Sequence, residues 1–205
     1  MRYEIDGNNI VLKEYDSFCI SETLECGQCF RFEKLGHEDY YIIAMERLLH
    51  IFNKGGDIVF ENTSETDFKN IWYNYFDFGR DYSEIKNILS SCDDTVKNAI
   101  NHAPGIRILN QDFFECLISF IISQNNRIPM IKKAVANISQ KYGKYLGEFN
   151  GNGCYSFPLP AELVKANEAE LMECKTGFRA KYIIDAVSRV VSGEIDGHKF
   201  LNMST

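Results

Sequence analysis

The 205 residues are 45% hydrophobic, with 15 Phe, 11 Tyr and only 4 Pro, a composition that excludes a disordered chain and leaves room for one large domain or two small ones. The net charge of −7 argues at first sight against a nucleic-acid partner. Its distribution reverses that: residues 1–126 hold 11 Lys and Arg against 21 Asp and Glu, whereas residues 127–189 hold 10 basic residues against 6 acidic ones. Phosphates respond to charge within about 8–10 Å, so a basic half can meet DNA on an acidic protein; ordinary solvated helix faces are the alternative.

From Arg2 to about Asn62 the pattern is one of strands and turns. Cys29–Glu33 alternates, and Tyr40–Met45, Leu48–Phe52 and Asp57–Glu61 are short runs of strand character, with Lys54-Gly55-Gly56 as a turn between the last two. From Ser64 the period becomes helical. Ser64 reads as an N-cap ahead of Phe68, Ile71, Trp72 and Tyr75, Ser83 precedes Ile85 and Ile88, and Asp94 precedes Val96 and Ile100. His102-Ala103-Pro104-Gly105 breaks the chain, which places a domain boundary between residues 1–104 and 105–205. Asn110 then caps Phe113–Ile122, a run apolar on nearly every side. At ten residues it is too short to span a membrane, and it is predicted to be a central buried helix ending in the polar cluster Ser123-Gln124-Asn125-Asn126-Arg127. Pro129 opens an amphipathic helix with Ile131, Ala134, Val135 and Ile138 inward, Asn150–Gly153 is a loop, and short helices start at Pro160 and Glu168. Gly177-Phe178-Arg179 leads into a last amphipathic helix with Tyr182, Ile183, Ala186, Val187 and Val190 inward. The start has no apolar signal core, which predicts a cytoplasmic protein with no membrane partner.

Three separated segments carry a resemblance. Gly27-Gln28-Cys29-Phe30-Arg31-Phe32, the run from Gln111 through Asn126, and Gly177-Phe178-Arg179-Ala180-Lys181-Tyr182 are similar, in order and interval, to motifs of the 8-oxoguanine DNA glycosylases. The resemblance implies an α+β fold in which a TATA-binding-protein-like antiparallel sheet precedes a helical domain. It also implies base excision repair of duplex DNA containing 8-oxoguanine, through base flipping and attack of a lysine on the sugar, with associated lyase chemistry and no cofactor or metal. A prokaryote-like, nucleoid-associated monomer is expected.

Five residues take roles from that resemblance. Gly27 matches the glycine whose carbonyl accepts a hydrogen bond from N7–H of 8-oxoguanine, where ordinary guanine presents a bare acceptor; read by itself it is a turn glycine. Asn125 matches the asparagine that fills the gap left by the flipped base, Phe178 an aromatic wedge, and Arg179 an arginine that hydrogen-bonds the orphaned cytosine. A helix-end cap, a core aromatic and a phosphate contact are their plainer readings. Met130 stands where eukaryotic members have a second cytosine-reading arginine, and a thioether donates no hydrogen bond. The expected hairpin, Leu-Pro-Gly-Val-Gly-x-Lys with its following aspartate, is not found before Thr205, so no residue is assigned as catalytic and the helical domain is expected to lack its helix-hairpin-helix part. The chain as given is then expected to be inactive.

Three other readings compete. Cys26-Gly27-Gln28-Cys29 resembles a redox pair, but such a motif must end a strand and open a helix. Seven scattered cysteines read as reduced thiols, and no second ligand pair completes a zinc site. A glycosylase for alkylated bases shares the same layout, and a non-catalytic DNA-binding remnant is the third possibility.

Overall fold

The structure, a computed structural model, describes residues 2–15, 17–197 and 199. It divides into two compact units: residues up to Ile42 with Leu49–Asn110, and Ile43–Leu48 with the residues from Gln111 onward.

A six-stranded antiparallel sheet runs in the order β1 (Tyr3–Asp6), β2 (Asn9–Leu12), β6 (Asp57–Glu61), β5 (Arg47–Lys54), β4 (Asp39–Ala44) and β3 (Phe32–Gly36). Alternation along β4 buries Tyr40, Ile42 and Ala44 and leaves the residues between them half-buried. Met45 and Glu46 join β4 to β5 with φ of 52° and 57°, the paired left-handed conformation that suits a two-residue hairpin to the twist of its strands. In the first unit an aromatic core of Phe18, Phe60, Phe68 and Phe76 forms, with ring centroids 5.1 Å apart for Phe18–Phe76 and 5.2 Å for Phe60–Phe68.

The strand-and-turn texture predicted up to Asn62 is interrupted by α1 (Ile20–Glu25). Its N-terminus is capped from a distance: the Glu38 carboxylate accepts from Ile20 N at 2.7 Å and Ser21 N at 3.0 Å. A helix whose cap comes from elsewhere in the chain leaves no local signature. β3 begins at Phe32 rather than Cys29, because Cys29 is turned back to the end of α1.

Beyond the sheet lie α2 (Glu65–Asp67), a π-helical turn (Phe68–Trp72), α3 (Tyr73–Tyr75), α4 (Tyr82–Ser90) and α5 (Asp94–His102). Ser64 caps α2 as predicted, its Oγ accepting from Asp67 N at 3.0 Å. The caps of α4 and α5 are Asp81 and Asp93, each earlier than the residue the sequence pointed to, since a carboxylate reaches the free N–H groups of the first turn. Residues 105–110 stay with the first unit instead of opening the second. Gly105 O accepts from Cys19 N (2.9 Å), Gly105 N donates to Glu22 (2.6 Å), and a Cβ at Gly105 would overlap Cys19. Next in line, Arg107 is 1% exposed and pairs with no carboxylate among the described residues. Its guanidinium donates to Asp77 O (2.6 Å), Tyr15 Oη (2.8 Å) and Ser17 O (3.3 Å), and lies 4.3 Å from the Tyr82 ring centroid.

The second unit contains α6 (Phe113–Ser123), α7 (Ile128–Tyr142), β7 (Tyr145–Phe149), β8 (Asn152–Tyr155), α8 (Pro160–Leu163), α9 (Glu168–Glu173), a 3₁₀ turn (Gly177–Arg179) and α10 (Ala180–Val191). The predicted inner face of α7 is the buried one. Three expectations are corrected. The residues read as a loop at 150–153 belong to a β7–β8 hairpin turning at Asn150 and Gly151. The cap of α6 is Asp112, whose carboxylate accepts from Glu115 N at 2.8 Å, while Asn110 donates to Asn74 O. And α6 is buried on one face only, through Phe114, Ile118, Ser119 and Ile122, with Phe120 65% exposed. Tyr182 on α10 also faces outward.

Arg107→Met keeps the stem and removes every side-chain donor, leaving the Ser17 carbonyl and the Tyr15 hydroxyl without the partner they have here and the Asp77 carbonyl with only the 3.3 Å bond from Arg80 N. Burying such groups unsatisfied costs about 1–3 kcal/mol each, so the expected loss is roughly 3 kcal/mol in urea unfolding followed by tryptophan emission. A midpoint equal to that of the wild type would show that these bonds contribute nothing.

Candidate nucleic-acid interface

Gly27 follows α1 directly. Cys26 is the C-cap, and Gly27, with φ of 91°, is the left-handed residue after it. Side chains then satisfy the carbonyls that the end of the helix leaves over. Gln28 Nε2 donates to Thr23 O at 2.8 Å, Cys26 Sγ to Thr23 O at 3.3 Å and Cys29 Sγ to Leu24 O at 3.8 Å. The Cys-x-x-Cys spacing thus has a structural explanation. Cys26 is exposed and follows the C-terminal end of its helix, whereas a redox pair needs the N-terminal end, and Cys29 is buried. The carbonyl of Gly27 itself accepts no hydrogen bond among the described residues, and the glycine is exposed.

In the second unit the polar tip of α6 shows a similar division. Ser123 Oγ donates to Phe120 O (2.7 Å), Gln124 Nε2 to Phe120 O (3.2 Å) and Asn126 Nδ2 to Ile122 O (3.0 Å), so three of the four polar side chains cap their own helix. Asn125 is the fourth. It is exposed, its backbone is left-handed (φ 47°), and its side chain makes no hydrogen bond among the described residues. Asn tolerates this conformation better than most residues, and here it carries the amide outward.

Arg179 holds that tip. The sequence assigns it free donors for a cytosine edge, but the structure places it 8% exposed, with its donors on carbonyls. Nε donates to Gln124 O (2.9 Å), Nη2 to Gln124 O (2.6 Å) and Asn125 O (2.9 Å), and Nη1 to Thr176 O (3.3 Å). A guanidinium taken out of water has to be supplied with acceptors, and helix-end carbonyls are at hand. Phe178 lies against it, 4.5 Å from ring centroid to guanidinium carbon, and is itself 59% exposed rather than part of the core. Arg179 therefore brings Asn125 and Phe178 together. Met130, 43% exposed, sits in the first turn of α7 with its N–H on Arg127 O. Gly27 belongs to the first unit.

The basic stretch is narrower than its sequence count. Lys141 pairs with Glu173 (2.9 Å), Lys144 with Glu46 (3.6 Å) and Arg189 with Asp185 and Glu194 (2.9 and 2.6 Å), and Arg179 is buried. Arg127, Lys133, Lys165, Lys175 and Lys181 are exposed without an ion pair among the described residues. A nucleophilic lysine needs a lowered pKa. The described lysines that shift, Lys13, Lys69 and Lys141, all move upward, each chiefly through a hydrogen bond to a carboxylate, Asp57, Glu65 and Glu173 in turn. No group of His, Cys, Asp and Glu able to hold a metal occurs among the described residues. Gln28 and the clamping role of Arg179 escape a sequence reading, since both depend on partners distant in the chain. The Gly-Gln pair inside the first motif is the only signal that could have pointed to Gln28.

Two family models match this chain: 8-oxoguanine DNA glycosylase, N-terminal domain, over residues 10–117, and HhH-GPD superfamily base excision DNA repair protein over residues 118–201. The N-glycosylase/DNA lyase OGG1 of Arabidopsis thaliana is 29% identical over 184 residues, 87% of this chain and 50% of its own length. The N-glycosylase/DNA lyase of Saccharomyces cerevisiae is 39% identical over 95 residues, 46% of this chain and 25% of its own. The chain thus spans half or less of these curated relatives. Among solved structures, the Clostridium acetobutylicum 8-oxoguanine glycosylase/lyase in complex with double-stranded DNA containing cytosine opposite 8-oxoguanine superposes with a TM-score of 0.93 at 42% identity, covering 100% of this chain and 70% of that one. MBOgg1 in complex with a low-affinity DNA ligand gives 0.91 at 43%, covering 100% and 71%. A 3-methyladenine DNA glycosylase from Archaeoglobus fulgidus, at 0.60 and 17%, covering 87% and 66%, shares the fold alone.

Thiol chemistry tests this picture of the helix ends. Burial, with smaller contributions from Glu115 and Asp112, pushes the Cys116 thiol on α6 up to about 11. At pH 8 it is then about 0.1% thiolate, and its alkylation should speed roughly tenfold for each pH unit up to that value. Iodoacetamide at pH 8 should label exposed Cys26 and Cys92 first, and diamide should give no 26–29 disulfide in a peptide map. Rapid labelling of Cys116, or a 26–29 bridge, contradicts the packing described.

Proposed function

The chain belongs to the 8-oxoguanine DNA glycosylase family, and from that premise we propose that it supplies the damage-reading and strand-opening parts of an enzyme that excises 8-oxoguanine from duplex DNA. The observation that carries the reading is the Gly27 carbonyl, free among the described residues, beside a helix end whose Thr23 and Leu24 carbonyls are taken by side chains. N7 of 8-oxoguanine bears a hydrogen that this carbonyl accepts. N7 of guanine is itself an acceptor, so the same carbonyl repels it and leaves two polar groups unpaired. The base reaches the carbonyl only when flipped out of the stack. Asn125, with an amide free to donate and accept, then enters the vacated space, and the exposed ring of Phe178 offsets part of the lost stacking. Arg179 keeps the two in place, and reading a cytosine with it means exchanging carbonyl partners for base partners. We place this activity in the cytoplasm, at the nucleoid, in a monomer bound to damaged duplex DNA.

The attacking lysine of the family ends the Leu-Pro-Gly-Val-Gly-x-Lys hairpin between two helices, and no lysine of residues 1–205 stands in that motif; Lys54-Gly55-Gly56 is a turn between two strands. Residues 1–205 alone should therefore give no covalent adduct when incubated with an 8-oxoguanine duplex and borohydride, which traps a lysine–sugar imine. Joined to the hairpin segment of a relative, they should give the adduct and release the base. A stoichiometric adduct with the 205 residues alone contradicts the assignment of the nucleophile, and an active fusion that releases guanine as fast as 8-oxoguanine contradicts the reading of Gly27.

Met130 predicts the partner preference of such a fusion. One good side-chain contact to a base discriminates by about 1–3 kcal/mol, so a thioether in place of an arginine relaxes the preference for cytosine over adenine by roughly 5- to 150-fold. Met130→Arg should recover part of it, mainly by slowing single-turnover excision opposite adenine. Equal cytosine-to-adenine rate ratios in the two proteins would show that residue 130 does not face the orphaned base.

A further inference from the structure

We propose that Gln28 is the positioning residue that aims the Gly27 carbonyl, so that preference for 8-oxoguanine over guanine is set one residue away from the atom that reads it. The proposal rests on the reading of Gly27 given above.

The carbonyl of Gly27 and the N–H of Gln28 belong to one planar peptide unit, whose direction is fixed by the two residues flanking it. Gly27 contributes little restraint. It has no side chain, its φ is 91°, and even a Cβ placed there would have nothing within 4 Å. The restraint comes from the other side of the plane. Gln28 Nε2 donates to Thr23 O and to Arg107 O, each at 2.8 Å, and Gln28 Oε1 accepts from Leu109 N at 2.9 Å. These anchors are among the most deeply buried parts of the first unit, with Thr23 at 0% and Arg107 at 1% exposure. They also join segments that are about eighty residues apart in sequence, the end of α1 and the stretch from Gly105 to Leu109.

The chemistry selects an amide. Two carbonyls and one N–H face the Gln28 head group, so it has to donate twice and accept once. A glutamate there turns an acceptor toward two acceptors, and a methionine fills the volume with no donor at all. Either change leaves the peptide plane free to rotate, and a hydrogen bond weakens steeply as its angle departs from linear. The discrimination between an N7 donor and an N7 acceptor falls with it, because attraction and repulsion both depend on the same oxygen pointing at the same place.

The test uses the protein and three duplexes of one sequence, carrying 8-oxoguanine, guanine or a tetrahydrofuran abasic analogue, with Kd measured by anisotropy for wild type, Gln28→Met and Gln28→Glu. Wild type is expected to prefer 8-oxoguanine over guanine. Both variants should reduce that ratio about tenfold, the effect of one lost buried hydrogen bond, while binding to the abasic duplex stays within about twofold. Affinity lowered equally on all three duplexes, or an unchanged ratio, overturns the positioning role. A wild type with no preference shows instead that the reading of Gly27 has failed. Should either variant lose its cooperative melt, the unmodified protein still decides: the Gln28 side-chain amide protons should exchange at least about tenfold more slowly than those of an exposed glutamine, and fast exchange overturns the proposal.

Discussion

A guanidinium taken out of water has to be surrounded by acceptors, and each unit of this protein is organised around one that is. Arg107 and Arg179 are both nearly inaccessible, and neither is neutralised by a carboxylate among the described residues. Both collect backbone carbonyls instead, Arg107 from Ser17 and Asp77, Arg179 from Gln124, Asn125 and Thr176. A planar fork with five donors can tie several chain segments at once, which a lysine cannot do. The result is that irregular segments, 105–109 in one unit and 123–125 in the other, become as fixed as the helices beside them. Groups displayed on such segments bind without first being ordered, which preserves affinity and geometric selectivity.

The same economy of hydrogen bonds operates at two helix ends. After α1, Cys26, Gln28 and Cys29 take up the Thr23 and Leu24 carbonyls, and the carbonyl of Gly27 remains free among the described residues. After α6, Ser123, Gln124 and Asn126 do so, and the amide of Asn125 remains free. In both places the free group sits on a left-handed residue, the conformation that turns a chain away from its helix axis. On the proposed reading, a cap and a recognition element are thus built from one run of residues. That is why a turn glycine and a helix-end asparagine, both reasonable readings of Gly27 and Asn125, are compatible with the recognition roles rather than rivals to them.

Much of the fold is legible in the sequence because it is encoded locally. Short apolar runs bounded by turn residues mark β4 to β6, and the period near 3.6 marks α7 and α10, where burial follows residue spacing. The misses share a cause. α1 has only six residues and takes its N-terminal cap from Glu38, so nothing near it in the chain announces a helix. The β7–β8 hairpin did carry a signal, Asn150-Gly151, which reads equally as a loop until its flanking residues are paired. Arg179 is the instructive case at the site. An arginine in a basic stretch reads as a contact for DNA, and only tertiary structure reveals that its donors are already engaged.

With Lys141, Lys144 and Arg189 in ion pairs and Arg179 buried, five exposed cations of the basic stretch without an ion pair among the described residues, Arg127, Lys133, Lys165, Lys175 and Lys181, remain to meet phosphates on a chain of net charge −7. Phosphate contacts raise affinity for all sequences alike and weaken with salt, so on the proposed reading these cations contribute binding to any duplex and no selectivity. Selectivity then rests on neutral groups: a carbonyl at Gly27, an amide at Asn125, a ring at Phe178. An arginine at position 130 would add attraction and base reading together, whereas methionine removes both. What is left discriminates mainly by the shape and hydrogen-bonding pattern of the damaged base, and much less by the identity of its partner.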